Sequence, residues 1–233
     1  MEPWRKDFCK SAFDIACDLL KLNTFMLCFS LIKDSKSLWE NYANKDSKIG
    51  VCMRFDFEKI APNPVSELLA QKRYFLDQRG NAVEVELRVL DHSVTYSKQE
   101  IQIRIDEYLG LVAAVLNRMS LKDFNDPDYE DERELLVNIF TDILLYSSLS
   151  KESSWSDEKE FRMVFIFPDI IKYDSLIKVR KRGAQEVRYL SLNMKANSTF
   201  SLSRIYVSSE NDLISVKLSL KNFVNKGIRI KVI

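Results

Sequence analysis

Glycine is scarce in this chain, with five in 233 residues and no two close together. No G-x-G-x-x-G or G-K-[ST] loop is present to wrap backbone amides around a phosphate, which excludes the common dinucleotide-binding and nucleotide-hydrolase signatures. Histidine is scarcer still, since His92 stands alone. A Ser-His or Cys-His nucleophile would have to use it. Its setting, Leu90-Asp91-His92-Ser93-Val94, reads instead as a surface turn. The four cysteines, Cys9, Cys17, Cys28 and Cys52, form no C-x-x-C pair. No zinc site is therefore expected and no metal ligand is assigned. Long apolar runs are also lacking. Nothing approaches the ~20 residues of a spanning helix, and the N-terminus has no continuous apolar core of a secretion signal. The expectation is a soluble cytoplasmic protein, with reduced cysteines packed as small apolar residues and no membrane partner.

Charge of one sign is missing as well. Lys plus Arg number 35, Asp plus Glu 34, and the formal net charge is +1. A broad nucleic-acid footprint needs a basic excess on one face, so the charge does not indicate nucleic acid. Other partners are left open. One local basic run, Lys178, Arg180, Lys181 and Arg182, precedes Gly183 and reads as a solvated turn.

What is present is an ordinary globular composition, 46% hydrophobic and 30% charged. The length suits one domain over 1–233 with a core of its own. Arg5 to Leu22 carries Phe8, Ala12, Ile15, Ala16, Leu19 and Leu22 on one helical stripe. Phe25 to Ser30 is a short apolar run that predicts a buried strand. A short helix capped by Asp34 or Ser35 would carry Leu38, Trp39 and Tyr42. Val51, Met53 and Phe55 alternate with Cys52, Arg54 and Asp56, and Val83 to Leu90 alternates the same way, so both predict strands. Val65 to Phe75 reads as helix, Arg79-Gly80-Asn81 as a turn and Val94 to Tyr96 as a further short strand. Gln99 to Met119 is predicted helical from Ile101, Ile105, Tyr108, Leu109, Val112, Leu116 and Met119. The acidic stretch Asn125-Asp126-Pro127-Asp128 lacks calcium-loop spacing and reads as a solvated turn. A helix over Glu132 to Leu149, a strand over Glu158 to Phe167 after a frayed helical turn, strands over Glu186–Asn193, Leu202–Ser208 and Ile228–Ile233, and a helix over Asn211–Phe223 complete the reading. The irregular alternation predicts α+β: a central mixed or antiparallel sheet with several amphipathic helices packed on it.

Two stretches concentrate aromatic and ionisable residues beside predicted strands. The first holds Ser30, Trp39 and Tyr42; the second reads Trp155-x-x-Glu158-x-Glu160-x-Arg162. On a strand, Glu158, Glu160 and Arg162 share one face, and Phe161, Met163, Phe165 and Phe167 the other. The apolar face belongs to a core. The charged face is either a plain exposed strand face with an internal Glu-Arg pair or the lining of a cleft, because burying it unpaired would cost several kcal/mol. Trp155 beside two carboxylates suits the floor of a planar-ligand site. Trp39 and Tyr42 can equally be core residues. Glu158 and Glu160 could also share a magnesium ion in a nuclease-like site, although no third acidic ligand or partner lysine sits at a fitting spacing.

The order Cys28-Phe29-Ser30, Trp39-x-x-Tyr42-Ala43, Gly50-Val51-Cys52 and Trp155-x-x-Glu158-x-Glu160-x-Arg162 resembles the bacterial domain-of-unknown-function family 2971, from about Phe25 to Ile205-Tyr206-Val207-Ser208. The resemblance implies an additional N-terminal segment with an Asn-Asp-Pro-Phe-Glu string. Asn125-Asp126-Pro127 is displaced from that place, so a shortened member, or one lacking that piece, is expected. The arrangement is also similar to the core logic of ADP-ribosyltransferases. That likeness implies NAD as substrate, Ser30 orienting the ribose, Tyr42 or Trp39 stacking on nicotinamide, and Glu160 as the catalytic carboxylate. Glu158 would bind the acceptor and Arg162 would hold a phosphate or the glutamates. The early strand lacks the Arg or His with which such enzymes grip NAD. The alternative is a non-catalytic binding or interaction module, such as the partner half of a bacterial defence or toxin system.

Overall fold

Two small residues on one helix set the packing of the first part of the molecule. In the computed structural model, α1 (Pro3–Asn23) buries Ala12 and Ala16 completely. The absence of bulk there lets α3 (Tyr129–Ser148) close on it, and α2 (Lys98–Met119) packs against α3. Their shared core is Ala12, Val112, Val115, Leu116, Met119, Leu136 and Ile139. Phe8 meets Tyr129 edge-on at 5.4 Å, and Phe13 meets Phe140 at 5.6 Å, the geometry that aromatic quadrupoles favour. Arg118 grips Glu132 with two parallel hydrogen bonds of 2.9 Å, tying α2 to α3. The structure describes residues 3–32, 38–40, 51–57, 70–119, 129–193, 200–207, 209–220 and 229–232.

The chain divides into two compact units, each built from several segments. The first comprises residues 1–28, 91–156 and 160–170, and so holds the three helices. It also holds most of β1 (Thr24–Ser30), the end of β4 (Ala82–Ser93) and all of β5 (Glu160–Ile166). Met163, Val164 and Phe165 are all buried, so β5 is covered on both faces. Phe25 meets Phe167 edge-on. The Asn23 side chain caps the backbone N–H of Ile170 at 3.0 Å.

The second unit comprises residues 29–90, 157–159 and 171–233. There β2 (Val51–Phe57) runs antiparallel to β9 (Phe200–Val207), with a bulge between Arg54 and Phe55. Parallel to β9 lies β10 (Arg229–Val232), reached through α4 (Glu210–Ser219). A parallel neighbour requires such a crossover. Ser209 caps α4 by accepting from the Asp212 N–H at 3.2 Å. β3 (Ala70–Leu76) pairs with β4 and with the two-residue β8 (Ser191–Leu192). The two-stranded hairpin of β6 (Lys178–Arg182) and β7 (Gln185–Tyr189) completes the unit.

The α+β class and most element positions follow the sequence reading. Several expectations change. Ala70 to Phe75 is strand, not helix; Phe75 is buried and pairs with Val83, and tertiary pairing overrides local propensity. Residues 61–69 lie outside the described residues, as does Asn125-Asp126-Pro127-Asp128. The basic run is not a turn but β6 itself, with Gly183 (φ 63°) opening a two-residue loop to β7. His92 is exposed but lies inside β4. Thr95 forms a single bridge to Ser150 in place of a strand. Leu109 is exposed while Val115, unforeseen, is buried. On α1, Ile15, Leu19 and Leu22 remain exposed.

Candidate functional site

Glu160 opens β5, and its carboxylate is held from two sides. Oε1 accepts from the Lys151 ammonium at 2.9 Å, and Oε2 accepts from Arg162 Nε at 2.8 Å. The three side chains are only 13% (Glu160), 20% (Lys151) and 13% (Arg162) exposed. Arg162 also donates to the Ser148 carbonyl at the end of α3. The main chain fixes the glutamate further: its N–H donates to the Tyr96 hydroxyl at 3.0 Å, and its carbonyl accepts from Val94 N–H at 2.8 Å. Lys151 is placed by its own N–H, which donates to the Thr95 carbonyl at 3.0 Å. Its ammonium lies 4.6 Å from the centroid of the Trp155 ring, a cation–π contact. Trp155 sits in the 3-10 turn Ser153–Glu158 and is 41% exposed. All of these groups belong to the first unit.

Cys28, on β1 in the same unit, completes the cluster. Burial pushes its thiol up from the ordinary value, and the Glu160 charge adds to this. Arg162 and Lys151 pull the other way. Protein packed around the sulfur outweighs the two cations, although part of the residue's surface reaches solvent.

Glu158 lies outside β5. It ends the 3-10 turn and is buried, 2% exposed. Lys159, between the two glutamates, has φ 42°, a left-handed conformation unusual for a side chain of that kind. That break in the alternation corrects the expected single strand face of Glu158, Glu160 and Arg162. It also removes the ground for the two glutamates sharing a metal. Among the described residues no group of three His, Cys, Asp or Glu side chains is placed to hold one.

Ser30 ends β1 in the second unit, and its hydroxyl is engaged by backbone. It donates to the Glu158 carbonyl at 2.8 Å and accepts from the Ile32 N–H at 3.1 Å. Beside it, the Leu31 N–H donates to the Lys159 carbonyl at 2.9 Å. Trp39 is half-buried in a helical turn of that unit. Tyr42 lies outside the described residues. The structure thus groups Trp155, Glu160 and Arg162 in one unit, and Ser30 with Glu158 in the other. Sequence reasoning missed Lys151, Tyr96 and Cys28. Lys151 stands in a polar connector where no spacing ties it to Glu160. The Thr95–Ser150 bridge, with the hydrogen bonds of Thr95 to Leu149 and Lys151, brings it into reach.

Two cations, Lys151 and Arg162, thus flank the Glu160 carboxylate beside an accessible indole. Such a group can hold an anion and stack a flat ring. The model of the family described as "Protein of unknown function (DUF2971)" matches residues 38–163, more than half of the chain. The match takes in Trp39, Lys151, Trp155, Glu160 and Arg162 and leaves Ser30 outside. No curated protein and no solved structure matches the chain.

Proposed function

The chain belongs to that family, and from this premise we propose that it is a binding protein for a small anionic ligand carrying a flat ring, of the nucleotide type, held at Lys151, Trp155, Glu160 and Arg162. One observation carries the reading: Lys151 and Arg162 converge on the two oxygens of Glu160, which places two cations side by side next to the exposed Trp155 ring. A carboxylate that stabilises an oxocarbenium-like transition state must present its negative charge to the sugar. Two cations in contact with that carboxylate oppose the development of positive charge nearby. The same pairs make the site suitable for a phosphate, which Arg162 and Lys151 can bind while Glu160 keeps them oriented. A role as the partner half of a bacterial defence or toxin system fits a protein that binds without transforming its ligand.

Calorimetric titration with AMP, ADP and NAD tests the reading. Binding of at least one is expected, weakened about fivefold or more in Lys151→Met and in Trp155→Ala, since a charge-assisted contact or a stacked ring is worth about 1–3 kcal/mol. Absence of binding by all three, or unchanged affinity in both variants, overturns it. A second reading, a NAD-consuming ADP-ribosyltransferase with Glu160 as the essential carboxylate, is favoured by the proximity of Trp155 to the Glu160 cluster. It requires nicotinamide release from NAD that disappears in Glu160→Gln.

A further inference from the structure

The hairpin of β6 and β7 sorts its charges by face. In an antiparallel ladder, directly paired residues project to the same side, and the side alternates along each strand. The register pairs Lys178 with Tyr189, Arg180 with Val187 and Arg182 with Gln185, which puts these six on one face. That face carries three cations and no carboxylate. The opposite face carries Val179, Lys181, Glu186 and Arg188, where Lys181 stands directly across from Glu186. Arg180 and Arg182 are exposed. Among the described residues, Lys178, Arg180 and Arg182 make no ion pair with a carboxylate. The Lys178 ammonium donates to the Ser191 hydroxyl at 3.1 Å, and the Arg180 guanidinium lies 5.6 Å from the centre of the Tyr189 ring.

We infer that this face is a contact surface for the phosphate backbone of a nucleic-acid strand. Alternate residues on a strand are about 6.7 Å apart, comparable to the span of one phosphodiester repeat. Lys178, Arg180 and Arg182 therefore form a straight row of three cations that successive phosphates can follow. Two of the three are arginines, whose planar fork suits phosphate oxygens. Tyr189 supplies on the same face a ring of the sort on which bases stack, with the guanidinium already beside it. A two-stranded ribbon is also narrow enough to enter a major groove. A membrane surface fits less well, because cations and apolar anchors would have to share a face. The exposed aliphatic residue of the hairpin, Val179, is on the other one. The near-neutral net charge is compatible with this surface, since the footprint is a row of three phosphates and not a whole basic face.

Fluorescence anisotropy of a labelled single-stranded oligonucleotide and of its duplex, against the intact protein over a salt series, tests the inference. For three phosphates on a single strand, log affinity should fall against log salt with a slope of about −2. The double variant Arg180→Gln/Arg182→Gln should lose about tenfold or more in affinity at low salt and bring the slope to about −0.7. Its far-UV circular dichroism should be unchanged, because both side chains are exposed. Lys181→Gln, on the opposite face, should change affinity by less than about twofold. The inference is overturned by lack of binding to either oligonucleotide at low salt, or by a double variant that binds like the parent. It is equally overturned if Lys181→Gln costs as much as the double variant. Tighter binding to phosphatidylserine vesicles or to polyglutamate, with the same dependence on Arg180 and Arg182, also overturns it.

Discussion

The hydroxyl of Ser30 shows how a residue type shared with catalytic sites can be consumed by structure. It donates to the Glu158 carbonyl, with the Ile32 carbonyl also in reach, and accepts from the Ile32 amide, so Ser30→Ala should lower stability by about 1 kcal/mol. Denaturant unfolding measures that loss, while ligand affinity at the Lys151 cluster should be unchanged. Cys28 answers to its neighbours. With its thiol raised above the ordinary value by burial, alkylation by iodoacetamide should be slow at neutral pH and accelerate only above the ordinary thiol range. Arg162 lowers that thiol, so Arg162→Gln should move the alkylation midpoint further up. The comparison is best made with Cys9, Cys17 and Cys52 replaced by serine. Asp77 titrates in the opposite sense. Hydrogen bonds from the Asn81 backbone and side chain, and from the Arg79 backbone, hold its carboxyl below the usual range. A depressed carboxyl stabilises the fold fully above its unfolded pKa, about 3.9, and that contribution is lost as the pH falls through the lower folded value. Asp77→Asn should therefore be less stable than the parent at neutral pH. The gap in denaturation midpoint should narrow as the pH is taken below about 4.

At the scale of elements, two features carry the packing. Leu136 is fully buried between the helices of the first unit. Truncating it leaves a cavity that facing Ala12 has no bulk to fill, so Leu136→Ala should cost about 2–5 kcal/mol, read from the shift in denaturation midpoint. In the β6–β7 hairpin, Gly183 opens the loop at φ 63° with nothing near its absent side chain. The penalty for a Cβ there is conformational and not steric contact, about 1 kcal/mol for Gly183→Ala. The same hairpin explains a misreading. Lys178 to Arg182 looks like a solvated turn because charge suggests exposure, and exposure suggests a loop. An exposed two-stranded ribbon satisfies its backbone across the ladder and has no need of apolar residues for that.

For the whole molecule, the segment order matters more than any one contact. The chain passes between its two compact units at residues 28–29, 90–91, 156–157, 159–160 and 170–171. A fragment ending at Leu90 would keep α1 but lose α2 and α3, which share the core of Ala12, and Phe167, which packs on Phe25. It should lack the far-UV signal of a folded α1, with poorly dispersed amide resonances. Among the described residues no helix is long and apolar enough to cross a membrane.

The sequence by itself determined the α+β class, the three long helices, the alternation of β4 and the family resemblance. Each of these rests on a periodicity or spacing that a chain carries locally. Helix and strand periods act over a few residues, so they survive without knowledge of the partner. The tertiary structure alone decided that Ala70–Leu76 pairs as a strand and that Glu158 ends a 3-10 turn, with a left-handed Lys159 before β5 begins. It also decided that Lys151 reaches Glu160 and that the Ser30 hydroxyl is occupied. These outcomes depend on contacts between distant segments and on one left-handed residue. Periodicity has no term for either: an ion pair is set by where two strands and a turn end in space, not by how far apart their residues lie along the chain.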